Sequence, residues 1–114
     1  MTLKELAAGI EAEVVTGEER LGEKITGVYV SDLLSDVMGH AREGEVWLTI
    51  QTHTNVVAVA LLLNLAAVVF TAGAKPDALT VEKAKKEGTV LLTTHLSTFE
   101  TAGRLYLKQN EKAT

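Results

Sequence analysis

The sequence predicts an α/β protein, a three-layer α/β/α sandwich around a mainly parallel sheet of about four to five strands. Three observations predict it. Short apolar runs alternate with single amphipathic segments of roughly ten residues, the pattern of right-handed βαβ crossovers. Val46-Trp47-Leu48-Thr49-Ile50 and Ala67-Val68-Val69-Phe70 are almost uninterrupted apolar runs, as strands covered on both faces require. The composition is 46% hydrophobic and 23% charged with only 4% aromatics, which suits β-branched strands under Leu/Ala helices. A chain of 114 residues has room for one core, and no linker, repeat or low-complexity segment divides it, so residues 1–114 read as one domain.

Each element follows from local signals. Thr2 to Ile10 is a short helix: Thr2 and Glu5 make a capping box, and Leu3, Leu6, Ala7 and Ile10 share one face. Glu13 to Thr16 is a short strand, followed by a polar turn from Gly17 to Gly22. Ile25 to Val30 is a strand and Asp32 to Ala41 a helix, and Gly44 breaks the chain before the strand Val46 to Ile50. Asn55 to Leu63 is a helix, Ala67 to Thr71 a strand, and Asp77 to Glu87 a helix. Val90 to Thr93 is the last strand, Ser97 to Gln109 the closing helix, and Asn110 to Thr114 a frayed tail. The helix Asn55 to Leu63 is apolar nearly all round, which demands burial on more than one side. In so small a domain the second side is expected at a subunit contact, and a two-fold homodimer is the expectation.

Charge and composition exclude several functions. A net charge of −4 and the lack of any basic stripe speak against nucleic acid. With no cysteine, disulfides, thiolate catalysis and Cys-based metal sites are excluded. The start Met1-Thr2-Leu3-Lys4-Glu5 has no basic segment leading into an apolar run, and Val56 to Phe70 is too short and too interrupted by Asn64 to span a bilayer. The expectation is therefore cytoplasmic, with no membrane partner. Gly17-Glu18-Glu19-Arg20-Leu21-Gly22-Glu23-Lys24 has the glycine spacing of a phosphate loop, but Glu23 precedes the lysine and no Ser/Thr follows it, so ATP chemistry is not expected. No G-x-G-x-x-G or G-x-S-x-G occurs, and no cofactor is expected.

Polar side chains gather where strands end and helices begin. Ser31, Asp32, Gln51, Thr52, His53, Thr71, Gly73, Thr94 and His95 all follow predicted parallel strands, at the edge where open α/β sheets bind ligands. One reading is capping: Ser97-Thr98-Phe99-Glu100 is a capping box, and Ser31, Asp32, Thr54 and Asn55 suit helix starts. The other uses the same hydroxyls, two imidazoles and several helix N-termini to hold a small polar or anionic molecule. Fixed positive charge is confined to Lys75, which suits a singly anionic molecule better than a triphosphate. Within this reading His53 and Thr52 are the expected central contacts, and Gly73 permits close approach of backbone. Asp32, Asp36 and the histidines also offer a mixed metal site in principle, but no ligand spacing supports one.

Three stretches resemble a known family: Ile25-Thr26-Gly27-Val28-Tyr29-Val30-Ser31-Asp32, Ala67 through Pro76, and Val90-Leu91-Leu92-Thr93-Thr94 with Ser97 through Ala102. From about Thr2 to Leu107 the chain resembles the DRTGG domain, which is similar to the N-terminal domain of HPr kinase/phosphorylase. The resemblance implies an accessory module, found beside phosphotransacetylase, CBS or kinase domains or alone, with regulation or ligand sensing as its role. Small stand-alone members also resemble proteins encoded near iron-only hydrogenases, which would imply an anaerobic bacterial setting. Many members carry Asp-Arg after the strand corresponding to Val46 to Ile50. Here Gln51-Thr52-His53-Thr54-Asn55 stands in that place, so no role of that pair is carried over.

The expected function is a non-enzymatic regulatory or ligand-sensing module. A pure interaction subunit, docked on a larger enzyme such as a hydrogenase, is the rival reading. A small enzyme built on His53, His95 and the acids near Asp32 is the third.

Overall fold

A computed structural model describes residues 1–111. Its elements run α1 (Leu3–Gly9), β1 (Glu13–Thr16), a 3-10 turn (Glu18–Arg20), β2 (Gly27–Val30), α2 (Leu34–His40), β3 (Glu45–Thr49), α3 (Asn55–Leu63), β4 (Ala67–Phe70), α4 (Ala78–Glu87), β5 (Leu91–Thr93) and α5 (Thr98–Asn110). Of the frayed tail expected from Asn110 to Thr114, residues 112–114 lie outside the described residues, whereas Asn110 ends α5.

The five strands form one sheet in the order β1-β5-β4-β3-β2. β2, β3, β4 and β5 are mutually parallel, and β1 joins the far edge antiparallel to β5. The sandwich has three layers because alternate residues of each inner strand enter two different cores. Val46, Leu48, Ala67, Val69 and Leu92 pack with Leu3 and Leu6 of α1, Ile10 just after it, and Leu105 of α5. Trp47, Val68, Phe70 and Leu91 pack with Val37 of α2, Val56, Val57, Val59 and Ala60 of α3 and Ala84 of α4. Thus α1 and α5 cover one face, and all three crossover helices cover the other.

This placement corrects the reason given for a dimer. Helix α3 lies between α2 and α4, so its second buried side is inside the same chain. Val56, Val57, Val59 and Ala60 are buried without any second copy, whereas Leu61 and Leu62 face outward.

The helix starts divide between side-chain caps and other devices. Thr2 Oγ1 accepts from Glu5 N at 3.2 Å while Thr2 N donates to Glu5 Oε1 at 3.0 Å, completing the expected box. Ser97 Oγ accepts from Glu100 N at 3.1 Å, so α5 is capped as expected. Thr54 and Asp32 are not side-chain caps: α3 has no side-chain cap bond, and the residue before α2 is Leu33. The segment with phosphate-loop glycine spacing is a 3-10 turn. Gly17 there has φ +84°, and a Cβ on it would meet Val90 Cγ2 at 2.7 Å, so the glycine serves a close packing contact. Arg20 in the same turn donates to the Gly88 carbonyl at 2.6 Å and to both oxygens of Glu23, which satisfies its guanidinium internally.

No helix among the described residues is long and apolar enough to cross a membrane.

Candidate functional site

The strand order decides what can meet at the carboxyl-end edge. Strands β2 through β5 are laid down in one direction, so the winding never reverses within the parallel part of the sheet. The crevice of doubly wound sheets opens where the winding reverses. Here the expected site residues are instead strung along the edge, with the ends of β2 and β5 about 14 Å apart at the usual strand spacing. They fall into three groups.

At the β2–β3 end, Asp32 Oδ1 accepts from Thr49 Oγ1 and Ile50 N, both at 2.9 Å, and the Asp32 carbonyl accepts from Gln51 Nε2 at 3.0 Å. Ser31 Oγ accepts from Leu33 N, and the Ser31 carbonyl accepts a 2.7 Å bond from the indole N–H of buried Trp47. These groups tie two loops together and have their hydrogen bonds filled from within. Beside them Tyr29 donates to Asp36 Oδ2 at 2.8 Å, and His40 Nδ1 stands 3.2 Å from Asp36 Oδ1.

The Tyr29 hydrogen bond, with lesser help from Ser31 and His40, holds the Asp36 carboxyl below its ordinary value of 3.8. A carboxyl depressed on folding stabilises the fold above its unfolded pKa, and that contribution is lost as pH falls through the lower folded value. Tyr29→Phe is therefore expected to flatten the acid limb of stability. Urea midpoints measured from about pH 5 down to about pH 2 check this, since the wild-type midpoint should fall more steeply there than the variant's.

In the middle, the Thr52 carbonyl accepts from Thr80 Oγ1 at 2.7 Å and from Asp77 N at 3.2 Å, anchoring the start of α4. His53 Nδ1 lies 3.2 Å from Asp77 Oδ2, with the imidazole 71% exposed. Of the two residues expected at the centre of the site, His53 is thus largely exposed and Thr52 is half-buried, its carbonyl taken by α4.

The third group borders a half-open hollow. It measures about 130 Å³ and is lined by Glu11, Glu13, Gly73, Lys75, Thr93, Thr94 and His95. It forms because β1 is antiparallel: Glu13, at the start of β1, pairs with Thr93 at the end of β5. The α1–β1 loop therefore rises beside the loops that leave β4 and β5. Thr94 is buried and fixes this junction, donating to the Ile10 carbonyl at 2.7 Å and accepting from Leu96 N at 3.2 Å. Thr71, also buried, shares a 2.6 Å hydrogen bond with Thr98. The β4–α4 turn is held by Ala72 N donating to the Leu96 carbonyl at 2.7 Å and Gly73 N to the Thr94 carbonyl at 3.0 Å.

Two tight backbone turns lie at the same place. Among the described residues three non-glycines have left-handed φ: Asn64, which ends α3, Glu11 (φ 54°) and Ala72 (φ 56°). Glu11 ends α1 in the same way, with Ala12 N donating to the Ala7 carbonyl at 2.9 Å. Ala72 with Gly73 (φ 75°) makes the turn after β4, closed by Ala74 N donating to the Thr71 carbonyl at 3.0 Å. Across the hollow, Glu11 is engaged by Arg104 at 2.8 Å and lies 3.8 Å from His95 Nε2. Glu13 and Lys75 have no side-chain partner among the described residues.

Gly73, Thr94 and His95 are thus brought together; Thr71 lies just beneath them, and Ser31, Asp32, Gln51, Thr52 and His53 lie elsewhere along the edge. Glu11 and Glu13 were not among the expected residues, because only the pairing of β1 with β5 places them there. Each histidine faces a single carboxylate, and no group of three or more His, Cys, Asp or Glu side chains suited to a metal ion occurs among the described residues.

The model of one protein family, described as the DRTGG domain, matches residues 5–107. A solved structure of similar fold holds the CBS and DRTGG domains of the regulatory region of Clostridium perfringens pyrophosphatase, complexed with an activator, diadenosine tetraphosphate. The two share 25% identity with a TM-score of 0.70, over 91% of this chain and 45% of that one. This chain therefore spans less than half the length of that neighbour. No curated protein sequence matches.

Proposed function

The chain belongs to the DRTGG domain family, and from that premise we propose that it is a non-enzymatic regulatory module. In this reading it senses a small polar or singly anionic molecule held at the junction of β1, β4 and β5. The observation that carries the reading is a half-open hollow where Glu13 and Lys75, neither with a side-chain partner among the described residues, stand beside the Thr94 and His95 loop. The regulatory setting is supported by the similar solved structure, a regulatory region holding an activator.

The size and charge of the hollow narrow the ligand. Its 130 Å³ suits a few heavy atoms within the hollow itself. Lys75 offers one fixed positive charge, and Glu11 and Glu13 would repel a string of phosphates. A non-enzymatic role is supported by the histidines: His53 and His95 are both about 70% exposed, and neither has a hydroxyl nucleophile as a hydrogen-bond partner.

Isothermal titration with inorganic phosphate, glycine and diadenosine tetraphosphate tests the proposal. One of the two small probes should bind saturably, and Lys75→Ala should weaken it by about 5- to 150-fold, the loss of one charge-assisted hydrogen bond. Failure of both small probes would count against the site. So would tight binding of the tetraphosphate that Lys75→Ala leaves unchanged.

A further inference from the structure

Strand β2 ends the sheet: it pairs with β3 alone, so the outward N–H and C=O groups of Gly27–Val30 are unpaired among the described residues. Natural edge strands are usually blunted by short length, charge, proline or a bulge, and GVYV carries only the first, its four residues. Along this edge α5 and β2 border a shallow, open apolar groove of about 360 Å³, lined by Val28, Val30, Phe99, Ala102, Gly103 and Tyr106 among others. Phe99 is 88% exposed and Tyr106 68%, a large aromatic surface left in water. We propose that this face is a two-fold homodimer interface, in which β2 pairs antiparallel with β2 of a second copy and the two α5 helices pack across the dyad.

Three observations favour a second copy of this chain as the occupant. The first is the spacing on α5. A dyad between Ala102 and Gly103 leaves Phe99 and Tyr106 equally far from it, so each Phe99 meets the Tyr106 of the other copy. The small residues then sit at the crossing, where a Cβ on Gly103 would meet nothing within 4 Å. The second is depth. Because α5 rests on both β2 and β3, its axis lies roughly half a strand spacing inside β2. Joining two β2 edges at about 4.8 Å then puts the α5 axes about 10 Å apart, the separation at which helices pack. The third is area. Four aromatic rings at about 150–250 Å² each contribute about 600–1,000 Å². With Val28, Val30 and the two strand edges added, the contact passes the ~1,000 Å² expected of a specific interface.

Light scattering on the full chain at about 100 μM should give the mass of two copies. Phe99→Asp should give one copy with the melting temperature of the folded monomer retained. Its side chain is exposed, and an acid in the first turn of α5 favours the helix. Because the chain has no cysteine, Gly103→Cys supplies a second measurement: mild oxidation should link it into a covalent dimer, while Leu79→Cys, exposed on α4, should stay without a covalent link. A wild-type mass of one copy would overturn the proposal and leave the groove to a different protein. A dimer that survives Phe99→Asp, or a Gly103→Cys that fails to link, would overturn it as well.

Discussion

Val57→Asp is expected to abolish cooperative folding rather than merely to separate subunits. Val57 is fully buried against the sheet and the neighbouring helices, so the carboxylate would have neither water nor a cationic partner. The cost should reach at least about 4 kcal/mol, a large share of the ~5–15 kcal/mol that holds a domain together. Circular dichroism melts would show no transition, or one at much lower temperature. Leu62→Asp is the control: five residues along the same helix, Leu62 is 68% exposed, and its substitution should stay within about 0.5 kcal/mol. A Val57→Asp protein that melts like wild type would mean that the packing of α3 is wrong.

Trp47→Ala should be nearly as damaging. Trp47 is fully buried in the centre of β3 and is the largest side chain of the core beneath α2, α3 and α4. Its removal leaves a large void and should cost about 3–5 kcal/mol. At about 4 °C per kcal/mol for a domain of this size, the melting temperature should drop by about 12–20 °C. The indole also donates to the Ser31 carbonyl, which holds the β2–α2 loop over the end of β3. Trp47→Phe keeps most of the apolar volume but drops that bond, so it should lose a smaller amount, about 1–2 kcal/mol. Equal losses in the two variants would argue that the hydrogen bond, not the packing, dominates at this position.

Several parts of the molecule were legible from residues alone. Val46 to Ile50 and Ala67 to Phe70 read as strands covered on both sides, and Trp47 and Phe70 do bury on one face while Leu48 and Val69 bury on the other. The boxes at Thr2 and Ser97 also form where the local pattern puts them. Such features depend on neighbours within a few positions, and those contacts are the same in any compact arrangement of the elements. The helix Asn55 to Leu63 shows where that reasoning stops. Its apolar surround signalled burial on more than one side, but a periodicity cannot say whose surface does the covering.

The candidate site was legible only in part, for the same reason. That polar residues would collect after the parallel strands followed from the alternation of elements, and the structure sets Gly73, Thr94 and His95 of that group around one hollow. Asp32 was read as a helix cap, yet its carboxylate is taken by Thr49 and Ile50, 17 and 18 positions away, a bond no local pattern announces. Thr52 and His53 looked central because loops from neighbouring strands converge in a doubly wound sheet. In this sheet the strands follow one another without reversal, so those loops line up instead of converging.

By itself, then, the sequence determined the identity of the elements, the two-faced burial of the inner strands, and the polar character of the edge. Each of these rests on periodicity, capping and turn chemistry within a few residues. Only the tertiary structure decided that β1 would close the far edge antiparallel to β5. That pairing joins Glu13 to Thr93 across 80 positions and brings Glu11 to His95. The free energy that selects it comes from burying Leu3 and Leu6 of α1, and Ile10 just after it, under Leu92 and Leu105, a contact between the two ends of the chain.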